Sequence, residues 1–231
     1  MKTEPIAIVA LLLTLFTSDS RADTAIVPIH ETFGPDFDAK HFSTPIPNKN
    51  TEVRDGVLWT RGSSGGKYPP MVYMPVDRKD IIITFRFRHI GDGGFLWFFV
   101  DGEDGFGGED HMLRVKLLRD SVHLEVDAHS KDEHHPLRQN NRPADKFSGA
   151  YRLNEHLPLE TVDLKRNDWH EVQLTFQAEK VTVSINHALW SKTLRRPNFN
   201  AGKRKLLWMQ SGGEEGIELD DIRVTETPPI R

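Results

Sequence analysis

Residues 80–127, DIIITFRFRHIGDGGFLWFFVDGEDGFGGEDHMLRVKLLRDSVHLEVD, constrain this chain more than any other stretch. Ile81, Ile83, Phe85 and Phe87 alternate with Ile82, Thr84, Arg86 and Arg88. That period of two is what an extended backbone imposes on its side chains. Residues 95–100 are apolar at every position, which predicts a central strand covered on both faces. The next two strands form a hairpin if Asp120 and Ser121 make the turn. Leu117 then faces Leu124, and Val115 faces Val126. On the other side Lys116 meets Glu125 and Arg114 meets Asp127. A slip of one residue would lose both the oily face and the charge-matched face.

A second ribbon of the same kind follows at 169–186, WHEVQLTFQAEKVTVSIN. With Ala178 and Glu179 at its turn, Phe176 faces Val181, Leu174 faces Val183 and Val172 faces Ile185, while Thr175 meets Thr182. Around these two ribbons the remaining elements are short. Residues 26–33 predict an opening strand. Residues 53–60 predict a hairpin about Asp55-Gly56, and residues 71–74 a short strand. Residues 206–210 and 216–226 predict two closing strands around Gly212-Gly213. Residues 129–168 carry four histidines and three prolines with little periodicity, and a loop that long inside a compact domain is functional or poorly ordered. About a dozen short strands and no sustained helical period predict an all-β chain, folded as an antiparallel two-sheet sandwich.

Composition then narrows the setting. Residues 1–22 read as a secretory signal: Lys2 at the start, an apolar run over 6–17, and Ser20-Arg21-Ala22 as a small-x-small cleavage site. The run is shorter than the roughly 20 residues of a spanning helix, and no other stretch is apolar enough to cross a membrane. The expectation is a single domain over 23–231, secreted or periplasmic, with a loop insertion at about 129–168. Removing 1–22 takes two charges of each sign (Lys2, Arg21, Glu4, Asp19), so the net charge of −4 is unchanged. A mildly acidic chain with interspersed signs lacks an electrostatic footprint for nucleic acid. The chain has no cysteine, so an exported form would be held together by its core without disulfides, as suits a bacterial protein.

The order of these segments carries a resemblance. An E-T-F strand, R-D-G-V-L-W, then D-I-I-I-T-F-R-F-R, together with N-D-W-H-E-V-Q-L-T-F, K-V-T-V-S-I-N and G-I-E-L-D-D-I-R-V, resembles the concanavalin A-like jelly rolls of the laminin-G type. Within that superfamily the chain is similar to the bacterial 3-keto-disaccharide hydrolases, through residues 207–224 and 167–169. Where that family carries Asn-Ser-Gly-x-x-x-Arg, this chain has Gly94-Phe95-Leu96-Trp97-Phe98-Phe99. The resemblance implies a concave sheet that binds carbohydrate.

Candidate site residues follow from these elements. Arg86, Arg88, Arg114, Lys116, His123, Glu125 and Asp127 should share the non-core face of neighbouring strands, where they either hydrogen-bond sugar hydroxyls or pair across strands in solvent. Trp97 or Trp208 would stack against a sugar ring, with Gln210 beside them. Glu125-Val126-Asp127 sets two carboxylates on one face, as in E-x-D retaining glycosidases. Pairing with Lys116 and Arg114 would keep both ionised, however, and a general acid needs a raised pKa. His129, Asp132, His134 and His135 offer Zn²⁺-type ligands, with Asp220 as a further metal candidate. Glu214, Glu215, Glu218, Asp220 and Asp221 are the acidic residues available to a structural Ca²⁺, which takes six to eight oxygens. The polar alternative is a turn and strand with Leu219 and Ile222 inward across a bulge. The reading is an exported carbohydrate-binding protein that recognises a glycan on its concave sheet; the alternatives are a glycoside hydrolase related to the 3-keto-disaccharide enzymes and an interaction domain with no sugar site.

Overall fold

The computed structural model describes residues 28–62, 69–91, 94–187 and 189–228. The export segment read at 1–22 lies outside them. Fifteen strands are present among the described residues, with two short 3₁₀ turns and no α-helix. In chain order they begin with β1 (Ile29–Glu31), β2 (Thr51–Arg54), β3 (Val57–Thr60), β4 (Met71–Arg78) and β5 (Ile81–His89). Next come β6 (Phe95–Glu103), β7 (Glu109–Leu117), β8 (Ser121–Ser130), β9 (Tyr151–His156) and β10 (Glu160–Thr161). The last are β11 (His170–Gln177), β12 (Lys180–Ile185), β13 (Trp190–Arg195), β14 (Lys203–Ser211) and β15 (Ile217–Glu226).

They form two antiparallel sheets. The eight-stranded sheet runs β13-β12-β11-β5-β15-β3-β2, with β1 also on β15. The seven-stranded sheet runs β10-β8-β7-β6-β14-β4, with β9 also on β8. The chain crosses between sheets from β3 to β4, from β4 to β5, from β5 to β6, from β10 to β11, and again on each side of β14. The β5–β6 crossing needs glycine. A Cβ on Gly94 would sit 2.5 Å from the Gly212 carbonyl oxygen, and its φ is +91°, a region L side chains avoid.

Alternation fills the space between the sheets. Ile81, Ile83, Phe85 and Phe87 point in from one sheet, and Leu96, Phe98, Val100, Val115 and Leu117 from the other. Phe85 meets Phe98 across the gap at 4.8 Å between ring centroids. Trp208 closes the cluster, 5.1 Å from Phe98. Each such side chain contributes about 1.5–3 kcal/mol on burial, which is how a chain without cysteine holds two sheets together.

The β11–β12 register is as expected, with Phe176 opposite Val181 and Val172 opposite Ile185. The β7–β8 hairpin differs. Its turn is Arg119-Asp120, closed by the Leu118 amide donating to the Ser121 carbonyl. Leu117 therefore faces Val122, Lys116 faces His123 and Arg114 faces Glu125. The displacement is two residues, so every side chain keeps its expected face but changes partner. The stretch 129–168, expected to be loop, contains β9 and β10, both paired to β8. The second face of β6 is also less covered than expected, since Phe95 and Trp97 are only half-buried.

A candidate ligand-binding face on the seven-stranded sheet

The non-core face of the seven-stranded sheet divides into an aromatic half and an ionic half. On β6, Phe95, Trp97 and Phe99 follow one another at every second position. Ring centroids lie 6.2 Å apart for Phe95–Trp97 and 5.7 Å for Trp97–Phe99. β14 continues this surface, with Met209 beside Trp97 and Leu207 beside Phe99. β4 adds Tyr73 beside Leu207. Lys116 from β7 holds its ammonium 3.9 Å from the Phe95 centroid, a cation–π contact at the border of the two halves.

The ionic half is built on β7, β8 and β9. Arg114 bridges two carboxylates on β8, with Nη1 2.6 Å from Glu125 Oε2 and Nη2 2.6 Å from Asp127 Oδ1. Arg152 of β9 reaches Asp127 Oδ2 at 2.5 Å and Asp110 Oδ1 at 2.9 Å. Asn154 donates to Asp127 as well, and His129 Nδ1 lies 3.2 Å from Asp110 Oδ2. The side chain of Asp127 is 0% exposed and that of Glu125 8%. Glu125 turns its other oxygen toward two histidines, His156 Nδ1 at 3.2 Å and His123 Nδ1 at 3.6 Å.

The two aspartates respond oppositely. Burial pushes the Asp127 carboxyl up, but the guanidiniums of Arg114 and Arg152 and the Asn154 amide outweigh it and hold the group below the usual range. For Asp110, burial and then the Asp127 charge win over Arg152 and His129, and the carboxyl is raised.

The expected site residues do not all come together. Arg114, Lys116, His123, Glu125, Asp127 and Trp97 share this face. Arg86 and Arg88 do not: they lie on β5 in the opposite sheet, with guanidinium carbons 4.9 and 4.8 Å from the Trp169 ring centroid. β5 and β6 are consecutive in sequence but belong to different sheets, which separates their outer faces. Trp208 is 1% exposed inside the core, so it offers no ring to a sugar. Gln210 is fully buried and donates to the Gly212 carbonyl at 3.0 Å.

The expected metal ligands also disperse. His129 is engaged with Asp110, and the His134 side chain is 88% exposed. The Asp132 carboxylate accepts from the His134 amide in a local turn. Asp220 faces Arg86 at 3.8 Å on the other sheet. The acidic residues do not fit a calcium shell, because Glu218 is paired with Arg88 and Arg54, and Asp221 with Arg223 and His30. Leu219 and Ile222 both point inward across a register shift between Asp220 and Arg223.

Sequence reasoning missed Asp110, Arg152, Asn154 and His156. The signal for the last three was present in Tyr151–His156, where Arg152, Asn154 and His156 alternate with Tyr151, Leu153 and Glu155. Across the β8–β9 pair lies a cleft of about 490 Å³ between Leu137, Leu153 and Pro197, and among the described residues no Phe, Trp or Tyr lines it. A stacking platform exists only on the β6 side of the two.

No protein-family model and no curated protein matches this chain. Solved structures do match in fold. One is the CBM2 module of the evolved Dit of Lactobacillus casei BL23 phage J-1, with TM-score 0.56 at 8% identity over 85% of this chain and 93% of that one. Another is LamAcat from Zobellia galactanivorans, at 0.54 and 13% identity over 88% and 98%. A third is the carbohydrate recognition domain of Emp46p in its metal-free form, at 0.54 and 13% over 83% and 90%. The fold is a concanavalin A-like jelly roll. At these identities the likeness extends to architecture alone. No helix among the described residues is long and apolar enough to cross a membrane.

Proposed function

We propose that this is an exported carbohydrate-binding protein that takes a glycan on the outer face of the seven-stranded sheet. One observation carries the reading: Phe95 and Trp97 lie side by side, each half-exposed, on the outer face of the sheet. The apolar face of a pyranose ring would rest on Trp97. Its hydroxyls would reach Lys116, Arg114 and the imidazoles of His123 and His156, which lie next along the sheet. Such a mix of aromatic surface and few, fixed polar groups is characteristic of small-molecule sites. One fold neighbour is described as a carbohydrate recognition domain, which supports the class of ligand. Export rests on the composition of residues 1–22.

The carboxylates favour binding over catalysis. Glu125 and Asp127 are tied to one guanidinium, and a low pKa suits Asp127 as an acceptor rather than an acid. The hydrolase reading, in the manner of the 3-keto-disaccharide enzymes, draws on a different residue. Asp110 is raised while Asp127, across Arg152, is lowered, and divergent carboxyls are how sites assign acid and base.

A glycan-array screen with the full-length protein tests both, followed by product analysis on every hit. Binding without turnover is expected, and Trp97→Ala should weaken it about tenfold, roughly 1.4 kcal/mol. Equal binding by Trp97→Ala, or no glycan bound by the wild type, would remove the proposal. Turnover that disappears in Asp110→Asn would replace it with the enzyme.

A further inference from the structure

We propose that His123, Glu125 and His156 bind one divalent transition ion of the zinc class, through the two Nδ1 atoms and Glu125 Oε1. The juxtaposition comes from the sheet itself. His123 and Glu125 are two apart on β8 and so share a face, and His156 lies directly across from Glu125 on β9. Strand pairing brings facing Cβ atoms to about 5 Å, so three side chains meet over one point without help from a loop.

The distances suit a small ion. Ligands at 2.0–2.2 Å from a tetrahedral centre stand about 3.4 Å from one another. The two carboxylate–imidazole separations are already 3.2 and 3.6 Å, and all three ligand atoms lie within 4.8 Å of each other. The imidazole planes are 13° from parallel with centroids 5.8 Å apart. Only the edge between the two histidines has to shorten.

The surroundings support the assignment. Arg114 engages Glu125 Oε2 at 2.6 Å, which leaves Oε1 turned toward the histidines, as an outer-shell partner does for a metal-binding carboxylate. Arg114 is matched by Asp127 as well, so its charge does not oppose a cation unbalanced. The His156 side chain is 61% exposed, so the site opens to solvent on one side, with room for water or a ligand in a fourth position. Two nitrogens and one oxygen select Zn²⁺, Co²⁺, Ni²⁺ or Cu²⁺ over Ca²⁺ and Mg²⁺. No other group of three histidine, aspartate or glutamate side chains converges in this way among the described residues.

The site shares His123 and His156 with the proposed sugar face, so its test uses metal alone and stands or fails without any sugar. Co²⁺ titrated into the full-length protein should develop visible d–d absorption that saturates at one equivalent and is displaced by Zn²⁺. His156→Ala and His123→Ala should each weaken binding at least tenfold. His134→Ala, in the exposed loop, should leave it unchanged. Because His156 is exposed, its replacement should keep the wild-type circular dichroism. As a second measurement, Zn²⁺ should raise the wild-type melting temperature and leave that of His156→Asn unmoved. Absence of saturable binding by the wild type, undiminished binding by His156→Ala, or loss confined to His134→Ala would overturn the assignment.

Discussion

The β7–β8 and β11–β12 hairpins are built alike and used differently. Each sends a row of aliphatic and aromatic side chains into the core: Val115, Leu117, Val122 and Leu124 from one, Val172, Leu174, Phe176 and Val183 from the other. Inward, the two are chemically interchangeable. Outward, β11–β12 presents Gln173, Thr175, Thr182 and Ser184. Gln173 Nε2 lies 3.3 Å from the Thr175 hydroxyl, and Thr182 lies 2.9 Å from Thr193 on β13. The β7–β8 hairpin presents Arg114, Lys116, His123, Glu125 and Asp127, and its carboxylates are nearly dry. Solubility alone would leave charges wet and neutral groups interchangeable. Charges drawn into the surface cost desolvation free energy, so stability alone does not account for their arrangement.

The largest test of that contrast removes the carboxylate that both guanidiniums share. Asp127→Ala leaves Arg114 and Arg152 facing each other with one acceptor gone, and breaking a buried pair costs about 3–5 kcal/mol. Thr182→Ala on the scaffold hairpin should cost under about 1 kcal/mol. Urea unfolding of the two variants measures the difference, and equal losses would erase the distinction between the hairpins.

Acid separates them next, and here the larger shift lies on the scaffold side, although burial also lowers His123 on the ionic face. His89, at the end of β5 near His170 of β11, is lowered from 6.5 to about 4, by burial first and then by the charges of His170 and Arg119. The unfolded chain therefore binds the extra proton between those two values. Stability should fall as pH drops from about 6.5 to about 4 and show no further loss from this group below that. The shift corresponds to about 3 kcal/mol. Asp127 is lowered from 3.8, so its own loss begins only below this window. Urea midpoints at pH 7 and pH 4.5 should differ in the wild type and differ much less in His89→Leu. An undiminished slope in that variant would move the dominant acid-sensitive group to the ionic face.

A smaller effect probes the geometry of that face. Arg114 satisfies Glu125 and Asp127 with separate nitrogens, which the fork of a guanidinium allows and a single ammonium does not. Arg114→Lys should keep the charge yet lose about 1–3 kcal/mol. A full rescue would mean that charge alone, not the fork, organises the carboxylates.

The same pair of hairpins shows what a sequence can disclose. Both core faces were legible, because a period of two is set by the backbone. The β11–β12 partners were legible too. The β7–β8 partners were not, since moving one strand by two residues again sets apolar against apolar and leaves the charges together. The choice fell to interactions outside the pattern: the Leu118–Ser121 turn bond, and β10 pairing with Ser121 and Val122. Strands that are apolar on both faces hide which side turns in, so Trp97 came out half-exposed while Trp208 entered the core. Half of the ionic site was obscured for another reason: Arg152, Asn154 and His156 sit in a six-residue strand after twenty residues of polar loop, too short a period to rise above its surroundings.

The smallest prediction concerns the turn that made one register readable. Ala178 has φ of +51° and is exposed, while its amide donates to Asp80 Oδ1 at 2.8 Å. A Cβ is disfavoured in that left-handed region, yet the backbone bond to Asp80 does not depend on the side chain. Ala178→Gly should therefore relieve the strained residue while keeping the bond. Glycine also loosens the unfolded chain, which opposes the gain, so the net should be about 0.5–1 kcal/mol of added stability. A thermal melt of the full chain would show it as a small rise in midpoint. A fall would mean that the turn is held by its neighbours, and that β11–β12 owes its register to packing against β5 rather than to its own two-residue loop.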